Sequence, residues 1–511
     1  MHRIHFVFRD YKSLILCALI FCGTALVLVS AATAQTNPAK QKSIVFVGAQ
    51  VADGTGAPLR KANVRVEGDT ITRVGKFKPG KNDTVINAAG LVLSPGFIDT
   101  HNHSTDGLKT EPLAISQISQ GLTTLLLGQD GESPWPIGEY LEERRKDPPA
   151  LNILMLVGHA TVREKVMGED YRRVARPDEV AKMNALVEQG MNEGAIGLSS
   201  GIEYVVGSYS STEELVSMAA AAGRHGGFYI SHIRDEADKS FAAMHELLTI
   251  GRDGHLPVQN THIKLGTVGV QGKAADVIKM YDEARASGID VTADCYPYDA
   301  WHSDFKVLVP DKQYDDPVSA ARAIADVGGP SHLLITRVEK HPEYTGHTLE
   351  EAAKMRGMAA TALLSEIIRE GDGDVIGQSM IDPDIRAFYT WKWTMVSSDG
   401  GIGMAHPRGA GTYPRVLGRF VREKHWLTME EAVRKMTSLP AWRLKLTDRG
   451  IVREGMKADI VLFNPATVID NSTFEKPQLL STGIEKVFVN GVMVWDGTKA
   501  TGERPGRVLP K

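Results

Sequence analysis

The middle of the chain alternates short apolar runs with longer amphipathic segments. The apolar runs read TTLLLG, NILMLVG, AIGLS, GFYISH, PVQNTH, DVTADCY and TMVSSD. The segments between them have helical periodicity, as in STEELVSMAAAAGRHG and KAADVIKMYDEARASG. Strands that alternate with helices in this way are typical of a parallel α/β fold. We therefore predict a TIM-like (β/α)8 barrel over residues 94–450.

Both ends of the chain carry a different pattern, in which apolar and polar residues alternate. Residues 43–93 contain SIVFVGAQVAD, NVRVEGDTITRVG and DTVINAAGLVL, with Gly, Asn and Asp at the bends. Residues 451–508 contain the similar MKADIVLFNP and EKVFVNGVMVWDG. This alternation predicts short strands with one buried face. We expect the two stretches to pair into one small β-sandwich, which the chain leaves and re-enters.

The strand–helix alternation loosens between residues 300 and 345, directly after the sequence YPYD. We interpret this segment as an insertion near the barrel mouth. A lid over the mouth and a plain surface elaboration both fit the pattern.

The first 34 residues predict a secretory signal peptide. A basic start, MHRIHFVFRDYK, precedes the apolar run SLILCALIFCGTALVLVS, and AATAQ places Ala32 and Ala34 in a small-x-small pattern. This order is typical of an exported protein that is cleaved after Ala34. An uncleaved membrane anchor is the alternative, because the apolar run approaches a spanning length. Cleavage predicts a periplasmic or secreted protein without stable membrane association.

The overall composition is that of an ordinary globular protein. Of 511 residues, 42% are hydrophobic and 23% are charged, and the net charge is −4 with both signs interspersed. This balance leaves no basic footprint for nucleic acid. Two of the three cysteines lie in the predicted signal peptide, so Cys295 alone remains and we expect no intramolecular disulfide. Nothing in the sequence predicts an oligomeric state.

Histidines and aspartates follow the predicted barrel strands. His101 and His103, in LSPGFIDTHNHSTDG, are alternate residues at the end of a strand, so both imidazoles point the same way. Later apolar runs close on Asp130, His159, His232, His262 and Asp399. Barrel active sites lie at the carboxyl ends of the strands. One face of the barrel is therefore expected to collect five histidines and two carboxylates.

This residue set predicts a metal site. Imidazoles and carboxylates suit Zn²⁺ or a related divalent ion, and a set without thiolates is catalytic rather than structural in type. A metal held in this way lowers the pKa of water to about 7 and polarises a carbonyl group. Asp399, on a late strand, is placed to take the proton of that water and pass it to a leaving nitrogen. The alternative for Asp399 is a ligand that moves no proton.

The order of these residues, on a barrel flanked by a split β-sandwich, resembles the metal-dependent amidohydrolase superfamily. GLSSGIEYVVGSYSSTEEL, SHIRDEAD, THIKLG, DCYPYDA and HPRGAGTYPRVLGRF are similar to the N-acyl-D-amino-acid deacylase (D-aminoacylase) family. The likeness runs over residues 43–508. It implies zinc-dependent hydrolysis of a linear amide in an N-acyl amino acid of D configuration, which gives a carboxylate and a free amino acid.

The resemblance implies a role for each matching residue. The family's metal-binding histidines fall on His101, His103, His232 and His262, its catalytic aspartate falls on Asp399, and its substrate-binding residues fall on Lys264, Tyr296 and Arg408. A small-molecule substrate with a free carboxylate would need such cations, because arginine can hold a carboxylate through two parallel hydrogen bonds. For Lys264 and Arg408, a structural ion pair with a neighbouring carboxylate is the alternative. His159 has no implied role beyond orienting a ligand or water.

The sequence departs from the family at two places. The family's metal-binding cysteine lies in Asn-Cys-Gly, whereas this chain reads Gln129-Asp130-Gly131. We predict that Asp130 is a metal ligand, which can bridge two ions, and Glu132 is a less favoured candidate. One or two zinc ions, or another divalent metal, fit this set. After YPY, residues 299–302 read DAWH in place of a small-residue run, so the substrate can differ from a simple N-acetyl-D-amino acid.

Three other functions fit parts of the pattern. A dipeptidase acting on D-residue or isopeptide-type substrates would use the same chemistry. A cyclic-amide hydrolase of this superfamily usually has a carboxylated lysine between its metals, and no lysine closes a strand in the middle of the barrel here. A non-catalytic solute-binding protein would have lost metal-binding residues that are all present.

Overall fold

The computed structural model describes residues 43–371 and 373–510. The signal peptide that we predict at residues 1–34 lies outside the described residues. Within the described part of the chain, no helix is both long and apolar enough to cross a membrane.

Eight parallel strands form the centre of the molecule. Barrel strands 1 to 8 are, in order, Phe97–Asp99, Leu122–Leu127, a strand in two parts (Asn152–Met155 and Val157–Gly158), Gly197–Gly201, Phe228–His232, Val258–Asn260, Val291–Cys295 and Thr394–Val396. Each pairs with the next in parallel register. A parallel bridge between Asn102 and Gly400, just beyond strands 1 and 8, closes the ring. This arrangement is the predicted (β/α)8 barrel.

Helices surround the barrel. They are Gly107–Thr110, Ile115–Ile118, Ile137–Lys146, His159–Met167, Pro177–Glu193, Thr212–Arg224, Ser240–Gly254, Ala274–Ala286, Asp382–Thr390, Arg408–Arg415, Met429–Met436 and Ser438–Arg443, with 3-10 turns at Gly168–Tyr171 and Gly207–Tyr209 and a π-helix at Val416–Glu423. Thr212–Arg224 begins where Ser211 accepts a hydrogen bond from the Glu214 backbone N–H. Its buried Leu215, Met218 and Ala222 recur at helical spacing, so one face packs against the barrel.

An all-β domain combines strands from both ends of the chain. Its strands are Ile44–Val51, Arg60–Glu67, Thr70–Gly75, Thr84–Asn87, Val92–Pro95, Ile460–Phe463, Ile484–Val489 and Val492–Trp495. The antiparallel pair of Val92–Pro95 with Ile460–Phe463 joins the two halves. The rings of Phe46 and Phe488 lie 5.2 Å apart, although their strands are three places apart in the sheet. A flat sheet would separate them by about 14 Å, so the sheet folds over itself as the predicted sandwich.

A separate lobe, residues 300–378, interrupts the barrel between strands 7 and 8. It contains the antiparallel strands Ala300–Asp304, Leu333–Arg337 and Asp374–Gln378, the helices Pro317–Asp326, Leu349–Arg356 and Ala360–Glu370, and the 3-10 turns Phe305–Leu308, Pro330–His332 and Pro342–Tyr344. The lobe has its own apolar core, which includes Phe305, Leu333 and Leu363. Our predicted bounds of 300–345 are too short, because Ala300 pairs with Gln378. A pairing over such a sequence separation leaves no local pattern.

Candidate active site

Six side chains converge at the C-terminal ends of the barrel strands, and we call them the metal group: His101, His103, Asp130, His232, His262 and Asp399. They follow strands 1, 2, 6 and 8 or close strand 5. His101 Nε2 lies 3.5 Å from Asp130 Oδ1 and 3.3 Å from Asp399 Oδ1. Two donor atoms that each lie about 2.1 Å from one tetrahedral ion are about 3.4 Å apart. These separations therefore match ligands of a single ion.

Asp130 faces histidines with both of its carboxylate oxygens. Oδ1 lies 3.5 Å from His101 Nε2 and 3.9 Å from His262 Nε2, whereas Oδ2 lies 3.4 Å from His103 Nε2. His232 joins the group through Nδ1, which lies 3.1 Å from His262 Nε2. A carboxylate in this position can serve one ion or be shared by two.

Two observations show that these residues fit a divalent metal ion. The Oδ1 atom of Asp130 is buried and has no hydrogen-bond partner, so it is left for a ligand. Asp130, His262 and Asp399 also have left-handed backbone conformations, with φ of 53°, 32° and 46°. Non-glycine residues rarely adopt this region, and such strain is concentrated at functional sites. The presence of Asp130 at the position of the family's metal-binding cysteine is therefore compatible with a metal centre.

The metal group concentrates negative charge. Burial lowers the pKa of His103, but Asp130 and Asp399 outweigh burial and raise it to about 10. For Asp130 the effect of burial has the opposite sign and raises the pKa, but His101 and His103 outweigh it and hold the pKa well below its ordinary value. The carboxylates are therefore ionised, and they require either protonated histidines or a bound cation beside them.

Three neighbours hold the outer ring nitrogens of the histidines. His232 Nε2 lies 2.7 Å from Glu203 Oε2, and His262 Nδ1 lies 3.1 Å from Glu236 Oε1. His101 Nδ1 contacts the hydroxyl of Thr261. Such outer partners orient metal-binding histidines.

Our sequence reasoning did not identify Glu203, Glu236 or Thr261. Glu203 lies two residues after strand 4 and Glu236 lies four residues after His232, so both read as ordinary loop acids. Thr261 directly precedes His262, and this adjacency to a strand-end histidine was the one available signal.

Lys264 and Arg408 each form an ion pair at the edge of the metal group. Lys264 Nζ lies 2.5 Å from Glu236 Oε2, and Arg408 Nη1 lies 2.6 Å from Asp399 Oδ2. The structural ion pair that we left open for both residues is thus present. Tyr296 lies between them, with the Arg408 guanidinium 4.9 Å from its ring centre. Its hydroxyl is buried without a hydrogen-bond partner.

Comparison with known proteins assigns the chain to a family. The model of an amidohydrolase family matches residues 84–295 and 314–495, which is most of the chain. The chain belongs to the amidohydrolase family. The resemblance drawn from its motifs is confirmed by the relatives below, and this amidohydrolase is an enzyme that acts on carbon–nitrogen bonds other than peptide bonds.

Three characterised relatives cover almost the whole amidohydrolase. It is 34% identical to D-aminoacylase from Alcaligenes xylosoxydans xylosoxydans, over 92% of this chain and 97% of that protein. It is 35% identical to N-acyl-D-aspartate deacylase of the same organism, over 92% and 95%. The crystal structure of N-acyl-D-glutamate deacylase from Bordetella bronchiseptica, complexed with zinc and a phosphonate mimic of the tetrahedral intermediate, is 30% identical and matches with a TM-score of 0.84 over 92% of this chain and 100% of that one.

A cavity of about 550 Å³ opens above the metal group of the amidohydrolase. Lys264 and Arg408 line it from the barrel. The residues that the lobe adds include Trp301, His302, three aspartates and the aliphatic side chains that we call the apolar wall: Val307, Leu308, Ala323 and Val327. The predicted insertion therefore lies at the barrel mouth and forms one side of the cavity.

Two candidates from the sequence lie outside the metal group. Glu132 lines the cavity, and burial raises its pKa, but it is not among the converging ligand atoms. His159 is buried, with Nε2 2.9 Å from Glu214 Oε1. Arg163 pairs with the same carboxylate. Since His159 begins helix His159–Met167 and Glu214 belongs to Thr212–Arg224, this contact joins two barrel helices of the amidohydrolase.

Proposed function

We propose that this amidohydrolase uses zinc to hydrolyse the amide of an N-acyl-D-amino acid, giving a carboxylate and the free amino acid. One observation carries the proposal: a buried group of histidine and aspartate ligand atoms lies beside two cations at the base of one cavity. A metal ion in the metal group would act on the scissile amide, and the positive charges of Lys264 and Arg408 would attract a free carboxylate. The D configuration is supported by the three relatives, which are named for D-amino-acid substrates.

A divalent ion bound by the metal group would lower the pKa of water and polarise the amide carbonyl. Asp399 is placed to transfer the proton. Its Oδ2 is held by Arg408 at 2.6 Å, while its Oδ1 faces His101 and His103 at 3.3 and 3.2 Å. Burial raises the pKa of Asp399, but Arg408 and the neighbouring histidines hold it well below its ordinary value. Asp399 is therefore ionised, and Oδ1 can accept a proton from water and deliver it to the departing nitrogen.

The substrate carboxylate has donors available despite the two ion pairs. Arg408 commits Nη1 to Asp399, whereas its buried Nε has no hydrogen-bond partner. The hydroxyl of Tyr296, whose ring centre lies 4.9 Å from the guanidinium, is also buried without a hydrogen-bond partner. A carboxylate that bridges Arg408 and Tyr296 would satisfy both of these orphaned groups. Lys264, whose Nζ lies 5.9 Å from the Tyr296 ring, adds positive charge.

The test combines metal content with amine release. We expect one or two zinc ions per chain in the purified protein, and faster release of amine from N-acetyl-D-leucine than from N-acetyl-L-leucine. Metal-loaded protein that releases amine from neither substrate, nor from other N-acyl-D-amino acids, would refute the proposal. Amine release from D-residue dipeptides alone would favour the dipeptidase alternative, and hydrolysis of cyclic amides alone would favour the cyclic-amide hydrolase.

We also propose that the protein is exported. The support is the basic, apolar and small-residue order of residues 1–34. N-terminal sequencing of the protein from a periplasmic or culture fraction is expected to begin at Gln35. A full-length chain in the membrane fraction would instead show an uncleaved anchor.

A further inference from the structure

His232 is enclosed by three consecutive residues that follow barrel strand 4. The backbone N–H of Ile202 donates to the carbonyl oxygen of His232 at 3.2 Å, and the ring of Tyr204 packs 4.5 Å from the imidazole. Between them, Glu203 Oε2 lies 2.7 Å from His232 Nε2. The side chains of His232 and Glu203 are only 4% and 9% exposed. Three successive residues of the loop after strand 4 thus contact this one histidine.

Glu203 is itself held in place. Its second oxygen, Oε1, accepts a hydrogen bond of 3.2 Å from the backbone N–H of Glu236. Both oxygens therefore have fixed partners, one on the main chain and one on the His232 ring. A carboxylate fixed in this way acts as a rigid acceptor rather than as a mobile side chain.

We propose that Glu203 is a positioning residue for the metal, acting through His232. A neutral imidazole carries one N–H, and the carboxylate of Glu203 draws it to Nε2. The lone pair is then left on Nδ1, which faces His262 Nε2 across 3.1 Å within the metal group. Glu203 would fix both the tautomer and the direction of this ligand. The inference rests on the metal site of the proposed function.

The other two histidines with outer partners are less strictly specified. His262 Nδ1 lies 3.1 Å from Glu236 Oε1, an acceptor, and also 2.8 Å from Lys264 Nζ, a donor. His101 Nδ1 meets the hydroxyl of Thr261, which can donate or accept. At His232, by contrast, Nε2 meets carboxylate oxygens, with Glu203 at 2.7 Å and Glu236 Oε2 farther away at 3.7 Å, so the proton belongs on Nε2 and Glu203 is the nearer acceptor. Its loss should therefore have the clearest effect on metal binding.

The experiment measures zinc affinity by competition with a chromogenic chelator. For Glu203→Leu we expect affinity for at least one ion to fall about 10- to 100-fold. Glu203→Gln, which keeps an acceptor but loses the charge, should lie between this variant and wild type. Asp326→Asn is the matched control, because Asp326 lines the same cavity but pairs with Arg322 at 3.6 Å. Its zinc affinity should equal that of wild type.

A double variant separates positioning from a general loss of structure. If Glu203 acts through His232, then His232→Ala and His232→Ala/Glu203→Leu should bind zinc equally. Wild-type affinity in both Glu203 variants would overturn the inference alone, as would a further loss of affinity in the double variant. Wild-type protein that binds no metal would overturn the proposed function and this inference together.

Discussion

The metal group and the apolar wall both contribute to the lining of one cavity, but their side chains are held in different ways. Every histidine and aspartate of the metal group has an ionisable neighbour within 4 Å, and three of these residues adopt strained backbone conformations. The apolar wall consists of aliphatic side chains carried by a lobe with its own core. Directional contacts fix the side chains of the metal group, whereas the side chains of the apolar wall carry no polar atom and are held by packing. We therefore expect the barrel to supply the chemistry and to bind the substrate carboxylate, and the lobe to contact the rest of the substrate.

The charges around the apolar wall sharpen this contrast. Among the described residues that line the cavity, Lys264 and Arg408 are the only lysine and arginine, and both already pair with carboxylates. Asp326 and Asp374 of the lobe pair with arginines as well. A second carboxylate on the substrate would therefore find no lysine or arginine in the cavity that is not already paired. Its desolvation would not be compensated.

The largest effect should come from Asp399→Asn. The amide cannot accept the proton of water, so kcat for N-acetyl-D-leucine should fall by about 10²- to 10⁴-fold. The five other members of the metal group remain, and zinc measured by mass spectrometry should still be present. Asp326→Asn, in the same cavity, should keep its kcat within about twofold of wild type. A kcat for Asp399→Asn within tenfold of wild type would remove Asp399 from proton transfer.

The next effect concerns the apolar wall and the substrate side chain. Wild type should prefer N-acetyl-D-leucine to N-acetyl-D-glutamate by about 100-fold in kcat/KM, because the second carboxylate finds no free cation. Val307 is the half-buried member of the wall, so Val307→Lys introduces an ammonium group at the cavity and should bring the two kcat/KM values closer together. Val307→Met is the control, since it extends the side chain without charge. Equal rates on both substrates in wild type would show that the wall does not select against charge.

The same two regions show what the sequence could predict. The metal group follows strand ends, where a polar residue after an apolar run is a local signal, so His101 or Asp399 could be recognised without a structure. The lobe depends on the pairing of Ala300 with Gln378, which no local pattern encodes. Glu203 was missed for a related reason: its partner His232 lies on the neighbouring strand. That Lys264 and Arg408 are ion-paired could not be decided from the sequence, because their carboxylates are brought close only by the fold.

A moderate effect is expected from pH in the metal-free protein. Burial lowers the pKa of His103 and His232, but the surrounding carboxylates raise them to about 10 and about 9. An unfolded histidine titrates near 6.5. Because the folded values are higher, these histidines stabilise the fold fully below pH 6.5, and this contribution is lost as pH rises towards 9 and 10. The melting temperature of metal-free protein should therefore fall over that range.

Zinc should change this behaviour, since it replaces the protons as the partner of the carboxylates. The melting temperature of the zinc-loaded protein should depend less on pH between 6.5 and 9, and zinc affinity should rise over the same interval. Melting curves of both forms across this range check the expectation. Parallel pH profiles for the two forms would mean that the histidines do not exchange protons for metal.

The smallest effect on activity should come from His159→Leu, which removes the ring nitrogens of a histidine that lies at a strand end but outside the metal group. His159 lies at a strand end like the metal group, yet its Nε2 contacts Glu214 on a neighbouring helix. Loss of this buried contact should lower the free energy of unfolding by about 1–3 kcal/mol in urea denaturation. The kcat and the zinc content should stay at wild-type values, because Arg163 still pairs with Glu214 and no member of the metal group touches His159 in the described contacts. A loss of zinc in this variant would show that His159 supports the metal group without touching it. Position at a strand end would then be a better indicator of a functional residue than direct contact with the metal group.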